Sequence, residues 1–297
     1  MLCQKGTESS LDRDGWVGEV KYDGTRALLI KTETEFKVQN RNGVNYTRRL
    51  PEITQESKDV PGTFTVDGEI CFFNDEGISL FTPCQRRCST QDLGKIWYLT
   101  TKIPLVFVAF DILELNGVDL RSEPYLVRKR ALKQFIQGLE TLRGAKHISY
   151  AEHSNSPRKM FEDIIQRGGE GIILKQVDSP YREDYRSYNW LKLKLEQKTT
   201  CDVAGFTEGE NSRSRTFGAL VLTQNGQYVG KVGGGFSDHE LVEIAAHLKS
   251  CPSMPRPFTI DNPYTAVKTD MKVLVRYHKR TPDNIFRFPV FLKVEES

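Results

Sequence analysis

Apolar and polar positions alternate in short runs along the first two thirds of the chain. Residues 16–21, 27–31 and 36–39 read as short strands separated by polar or glycine turns, and 63–73 and 103–113 as longer ones. Residues 172–175 and 191–195 add two more. Between these runs the period becomes helical. Val127, Ala131, Leu132, Phe135, Ile136 and Leu139 make an apolar stripe, while Leu126, Arg130, Lys133 and Gln137 share another face. Ser156 before Pro157 is an N-cap with proline at the first helical position. The helix it opens runs through Phe161, Ile164 and Ile165 to a stop at Gly168.

The pattern changes near Lys198. Beyond it come short strands at 202–206, 219–223, 228–232, 273–277 and 288–294. Ser237 and Glu240 form a capping box that opens a helix through Leu241, Ile244, Ala245 and Leu248. Strands around one helix suit a small barrel such as an OB-fold, and a sandwich fits the strand count as well. The expected organisation is α+β, with one domain over residues 1–197 and a second over 198–297.

Composition changes this picture little. The chain has 297 residues, 38% hydrophobic and 27% charged, with net charge +3. That is an ordinary globular balance, long enough for two unequal domains. It permits a nucleic-acid partner only through a local basic face. No stretch approaches the roughly 20 apolar residues of a membrane span, and the start is polar, so a cytoplasmic or nucleoid-associated protein is expected, neither secreted nor membrane-bound. The six cysteines lack zinc spacing and read as free thiols. No phosphate-binding G-x-x-x-x-G-K-[ST] occurs, which excludes that ATP site.

Candidate chemistry begins at Glu19-Val-Lys21-Tyr-Asp23-Gly24-Thr-Arg26, where a strand ends in a lysine and Asp-Gly turns the chain back. Val66-Asp67-Gly68-Glu69 offers a carboxylate inside a strand. Phe110-Asp111 ends an apolar run. Glu170-Gly-Ile-Ile-Leu-Lys175 offers a second carboxylate and a lysine that points either to the site or to solvent. Trp190-Leu-Lys192-Leu-Lys194 alternates, so both lysines project from one face.

Taken in this order, the segments resemble the motifs of the ATP-dependent DNA ligases, within the covalent nucleotidyltransferases that also include RNA ligases and mRNA-capping enzymes. Lys21-Tyr-Asp-Gly-Thr-Arg26 is similar to the nucleophile motif, and Arg41 to the arginine that follows it. The stretch from Gly205 to Phe236 resembles the OB domain of compact ligases, and Arg287-Phe-Pro-Val-Phe-Leu-Lys293 resembles their last motif. The resemblance implies an ATP-grasp-like nucleotidyltransferase domain followed by a small β-barrel OB-fold domain.

It also implies a reaction and roles. Lys21 attacks the α-phosphate of ATP and carries AMP, which passes to the 5′-phosphate of nicked double-stranded DNA before the 3′-hydroxyl displaces it. Lys192, Lys194 and Mg²⁺ supply the positive charge that a lysine nucleophile and phosphate oxygens need. Glu170 holds the metal, and Glu69 contacts the ribose or a metal-bound water. Phe110 stacks on adenine, and Glu19 recognises its amino group. Arg26 and Arg41 bind phosphates, Lys175 closes the fourth motif, and Arg287 orients pyrophosphate. Arg213, Arg215, Lys268, Lys272, Arg276, Lys279 and Arg280 are candidate DNA contacts in the second domain, and residues 86–102 a DNA-facing helix and loop in the first. The chain starts close to Lys21 without an extra DNA-binding domain, so the expectation is a monomer, recruited by a Ku-like or clamp protein. The alternatives are an RNA-ligase or capping activity, and a non-catalytic nucleic-acid-binding relic.

Overall fold

The computed structural model describes residues 1–277, 280, 281 and 283–295, and divides the chain into two compact units, Met1–Lys194 and Leu195–Ser297.

The first unit opens with β1 (Leu2–Lys5), β2 (Trp16–Val20), β3 (Thr25–Lys31) and β4 (Phe36–Asn40). Then come α1 (Pro51–Ser57), β5 (Phe64–Cys71), α2 (Phe81–Ser89) and α3 (Leu93–Lys102). β6 (Val106–Leu115) and β7 (Val118–Asp119) lead to α4 (Tyr125–Arg143), β8 (Ile148–Tyr150) and β9 (His153–Ser154). α5 (Pro157–Gln166), β10 (Gly171–Gln176) and β11 (Arg186–Lys194) complete it.

These strands form two sheets, in the orders β1-β11-β10-β2-β9 and β4-β3-β5-β6-β7, with β8 parallel to β6. The second sheet buries Leu29, Val66, Phe64, Phe107 and Ile112 against Leu132, Ile136 and Leu139 of α4. Each such side chain contributes about 1.5–3 kcal/mol relative to exposure. In α4 the inward face also takes Tyr125, Arg128 and Lys129, whereas Val127 points outward at 40% exposure. The stripe expected through Val127 is therefore rotated, because carboxylates on neighbouring strands draw in the two basic residues. Residues 86–102 fall into α2 and α3, joined by a short connection; Leu93, Trp97 and Tyr98 of α3 are exposed.

The second unit contains β12 (Gln197–Phe206), β13 (Leu220–Gln224), β14 (Gln227–Val232), α6 (Asp238–Ser250), β15 (Thr265–Ala266), β16 (Lys272–Tyr277) and β17 (Val290–Glu295). Its strands make one sheet, β14-β13-β12-β16-β17, with β15 on β12. Phe286 N–H donates to the Val229 carbonyl and Phe291 N–H to the Gly234 carbonyl, so backbone bonds tie the β14 end of this path to the β17 end. One sheet curled on itself replaces the sandwich reading. The capping box is present, with Ser237 Oγ accepting from Glu240 N–H and Glu240 accepting from Ser237 N–H. No helix among the described residues is long and apolar enough to cross a membrane.

Candidate active site

Strand register brings distant motifs into rows. β2, β10 and β11 lie side by side and antiparallel. Glu19 faces Ile173, which faces Lys192; Val17 faces Lys175, which faces Trp190. One residue past β2, Lys21 N–H donates to the Gly171 carbonyl at 2.9 Å, and Gly171 is paired with Lys194. Because side chains alternate along a strand, Glu19, Lys21, Lys175, Lys192 and Lys194 all rise from one face.

Glycine is required at 171. Its φ is +141°, and a Cβ there would lie 2.0 Å from the Leu193 carbonyl oxygen. That close approach sets Glu170 between two lysines. Lys21 Nζ lies 2.7 Å from Glu170 Oε2, and Lys194 Nζ pairs with Oε1. Burial would push the Glu170 carboxyl up, but the Lys21 and Lys194 ammonium groups hold it below its ordinary value. The charged group in contact with Lys21 is thus a carboxylate rather than Lys192 or Lys194. Lys192 is drawn down by burial and by Lys194.

A cavity of about 670 Å³ opens over this face. It is lined by Glu19, Lys21, Lys175 and Lys192 from the first sheet, and by Arg26, Arg41, Glu69 and Phe110 from the second. Phe110 reaches it through a β-bulge. Ala109 pairs with Gly68 and Asp111 with Asp67, leaving Phe110 as the extra residue whose ring is turned toward the cavity. The ring meets Trp190 edge-on, with centroids 6.0 Å apart.

Lys175 does not point to solvent. It is buried, with Nζ 2.6 Å from Glu19 Oε2 and 4.1 Å from the Trp190 ring centroid. Arg26 is engaged rather than free for phosphate. Its Nε and Nη2 donate to the Asp67 carboxylate at 3.0 and 2.6 Å, and Tyr181 OH donates to the same carboxylate at 2.7 Å. Asp111 is taken by Arg128 in a buried bidentate pair at 2.8 and 2.9 Å. Arg41 is exposed and forms no ion pair with a described residue. Glu69 is half-buried, and its carboxyl group has no hydrogen bond or ion pair to a described residue, although its backbone carbonyl accepts from the Cys71 thiol at 3.6 Å. Burial pushes its carboxyl up to about 8, with Asp67 and Glu170 adding to the effect and Lys21 and Arg26 opposing it.

Two family models match. One, described as ATP dependent DNA ligase domain, covers residues 1–194, and the other, ATP dependent DNA ligase C terminal region, covers 211–296. The chain belongs to the ATP-dependent DNA ligase family. It is 29% identical over 97% of its length to the multifunctional non-homologous end joining protein LigD of Mycolicibacterium smegmatis. It is 30% identical over 80% of its length to a DNA ligase of Thermoplasma volcanium. It spans 37% and 43% of those relatives' own lengths. Among solved structures it resembles the ligase domain of M. tuberculosis LigD, with TM-score 0.56 and 26% identity over 99% of this chain and 94% of that one. A Lig E DNA ligase, at 18% identity and TM-score 0.70 over 99% and 98%, shares the fold.

Several residues of the cavity and its surroundings escape sequence reading. Leu2 and Cys3 of β1 line the cavity because β1 pairs in parallel with β11, as do Gln85 and Cys88 of α2. Tyr125 and Lys129 of α4 hold Glu19 from behind. Their only sequence signal is the four-residue spacing of a phenol and an ammonium on one helix face.

In the second unit, Arg287 lies 5.3 Å from the Phe288 ring centroid, and Lys293 pairs with Glu295 at 3.4 Å. Much of the basic group expected on DNA is bonded within the unit. Arg213 donates to the Gly218 and Gly233 carbonyls, Arg276 pairs with Glu196 at 3.1 Å, and Lys272 with Asp202 at 3.6 Å. Arg280 donates to Gln224 and Asn284. Arg215 and Lys268 are exposed, and Lys279 lies outside the described residues.

Proposed function

We propose that this chain seals 3′-hydroxyl/5′-phosphate nicks in duplex DNA with ATP, carrying AMP on Lys21. The observation that supports this most is that Lys21, which lines a cavity of about 670 Å³, is held by Glu170, whose other oxygen holds Lys194; the cavity's size suits a nucleotide. In the first step the Lys21 nitrogen forms a bond to the α-phosphorus as the bond to pyrophosphate breaks. Lys192 and Lys194 are suited to balance charge on the phosphate oxygens. Phe110 offers a ring face to the base, and Glu19 an acceptor for its amino group. Arg41 is free to reach a phosphate, whereas Arg26 serves by fixing Asp67. Arg287 is proposed for the pyrophosphate.

The residues fit a magnesium ion in one respect. Glu69 is a carboxyl group beside the cavity that burial holds up at about 8; a cation taking one of its oxygens would favour the charged form, and it is an oxygen donor of the kind Mg²⁺ takes singly while keeping waters. Glu170 is already engaged by two lysines and would join it through the oxygen that Lys21 releases. No set of three metal-ligating side chains exists among the described residues. Bound there, the ion would neutralise phosphate charge. The proposal extends to a monomer recruited to breaks by a Ku-like or clamp protein.

The test is a substrate comparison. Nicked duplex DNA with ATP, nicked RNA with ATP, and 5′-diphosphate RNA with GTP are offered in parallel. Sealing confined to the DNA supports the reading. Sealing of RNA alone, or guanylate transfer, replaces it with an RNA-ligase or capping activity.

A further inference from the structure

α4 begins at Tyr125, so Tyr125 and Lys129 leave its first turns from the same side. Both reach Glu19 Oε1, Tyr125 OH donating at 2.5 Å and Lys129 Nζ lying 2.6 Å away. Lys175 Nζ lies 2.6 Å from Oε2. All four side chains are buried. The two ammonium groups also each donate to the Phe110 carbonyl at 3.4 Å. One cluster therefore fixes both the Glu19 carboxylate and the backbone that carries the Phe110 ring.

A carboxylate oxygen accepts about two hydrogen bonds. Oε1 has both taken, while Oε2 keeps one acceptor position, and Glu19 borders the cavity. Burial would push the Glu19 carboxyl up, but Lys129 and Lys175 hold it below its ordinary range, so it stays an acceptor. Burial and Glu19 push the Tyr125 phenol well above its ordinary value, so it stays a donor.

We propose that Lys129 and Tyr125 are positioning residues for base selection: by saturating Oε1 they aim Oε2 of Glu19 into the cavity, where it accepts from the exocyclic amine of adenine while Phe110 lies against the base. This rests on the nucleotidyltransferase reading above. Two lysines on one carboxylate leave one buried positive charge in excess. Lys129→Met therefore removes that excess and keeps the Glu19–Lys175 pair, rather than stranding an anion.

The experiment compares lysine adenylation by ATP with the same reaction by inosine triphosphate, in which a keto oxygen replaces the amine. Wild type, Lys129→Met, Lys129→Arg and Tyr125→Phe are measured. The ATP-over-inosine ratio of kcat/KM is expected to fall on the order of tenfold in Lys129→Met, through KM more than kcat, as the loss of one well-placed hydrogen bond implies. Tyr125→Phe should show a smaller fall, and Lys129→Arg should recover part of the ratio. A wild-type ratio in a Lys129→Met protein that unfolds at the wild-type midpoint overturns the inference and leaves Lys129 a packing residue. If Lys129→Met does not fold, Tyr125→Phe decides, because it removes one oxygen and keeps both ion pairs; an unchanged ratio there overturns the inference too. Wild type that accepts neither nucleotide overturns the nucleotidyltransferase reading and this inference together.

Discussion

Lys21 and Glu170, 149 residues apart in sequence, meet at 2.7 Å between Nζ and Oε2, and the Lys21 backbone N–H also donates to the carbonyl of Gly171. The backbone bond fixes where the proposed nucleophile stands, and the carboxylate fixes where its nitrogen points. Glu170 holds Lys194 with its other oxygen, so one side chain spaces the two cations. Glu170→Gln keeps the shape and removes the charge. It is expected to slow Lys21 adenylation on the order of a hundredfold, the usual loss when one preorganised electrostatic partner goes. Single-turnover labelling at saturating ATP checks this, and a rate within threefold of wild type would remove Glu170 from the machinery.

Gly171→Ala attacks the same arrangement through the backbone. The added Cβ would lie 2.0 Å from the Leu193 carbonyl oxygen, at a φ of +141° that L-residues rarely adopt. β10 must move away from β11. A loss of at least about 2 kcal/mol in urea unfolding is expected, with adenylation falling alongside. Unchanged stability would show that the register is looser than described.

Asp67 is buried and binds Arg26 by two bonds and Tyr181 by a third. Asp67→Asn leaves Arg26, only about a fifth exposed, without its counter-charge. A cost of about 3 kcal/mol is expected, the scale for breaking rather than replacing a largely buried pair. A double substitution of Asp67→Asn with Arg26→Met should cost less than the sum of the singles, and strict additivity would refute the coupling.

The Glu19 cluster makes stability depend on pH. Burial pushes Lys129 down to about 8, with Lys175 adding to the shift and Glu19 and Asp111 opposing it. Tyr125, Tyr150 and His153 complete its surroundings. Between pH 8 and the ordinary 10.5 the unfolded chain keeps a proton that the folded chain has released, so stability rises with pH across that window. The stability of wild type minus that of Lys129→Met should therefore grow by on the order of 1–2 kcal/mol from about pH 7.5 to about pH 9.5. A flat or falling difference contradicts the buried, shared charge.

Much of the site was legible because it is carried by alternation. Period-two patterns at Glu19–Lys21 and Trp190–Lys194 place those lysines on one face whatever the tertiary detail. β1 was not legible, since parallel pairing with a strand nearly two hundred residues on leaves no local turn signal. The inward face of α4 was misjudged at Val127 because hydrophobic periodicity ranks Arg128 and Lys129 as outward, while Asp111 and Glu19 make their burial affordable. Arg26 read as a phosphate ligand for a related reason. Its partner Asp67 stands 41 positions away, on a strand whose pairing with the Arg26 strand leaves no mark in the local pattern. The bulge that turns Phe110 toward the cavity has no sequence mark.

The chemistry proposed for this chain begins with Lys21 taking AMP from ATP. Wild type and Lys21→Ala are incubated with α-labelled ATP and Mg²⁺, after any bound AMP has been removed with pyrophosphate, and label on the denatured chain is counted. Label on wild type that is acid-labile, mapped to Lys21 and missing from Lys21→Ala is the predicted result. An unlabelled wild type, or equal label on both proteins, would show that Lys21 does not carry AMP.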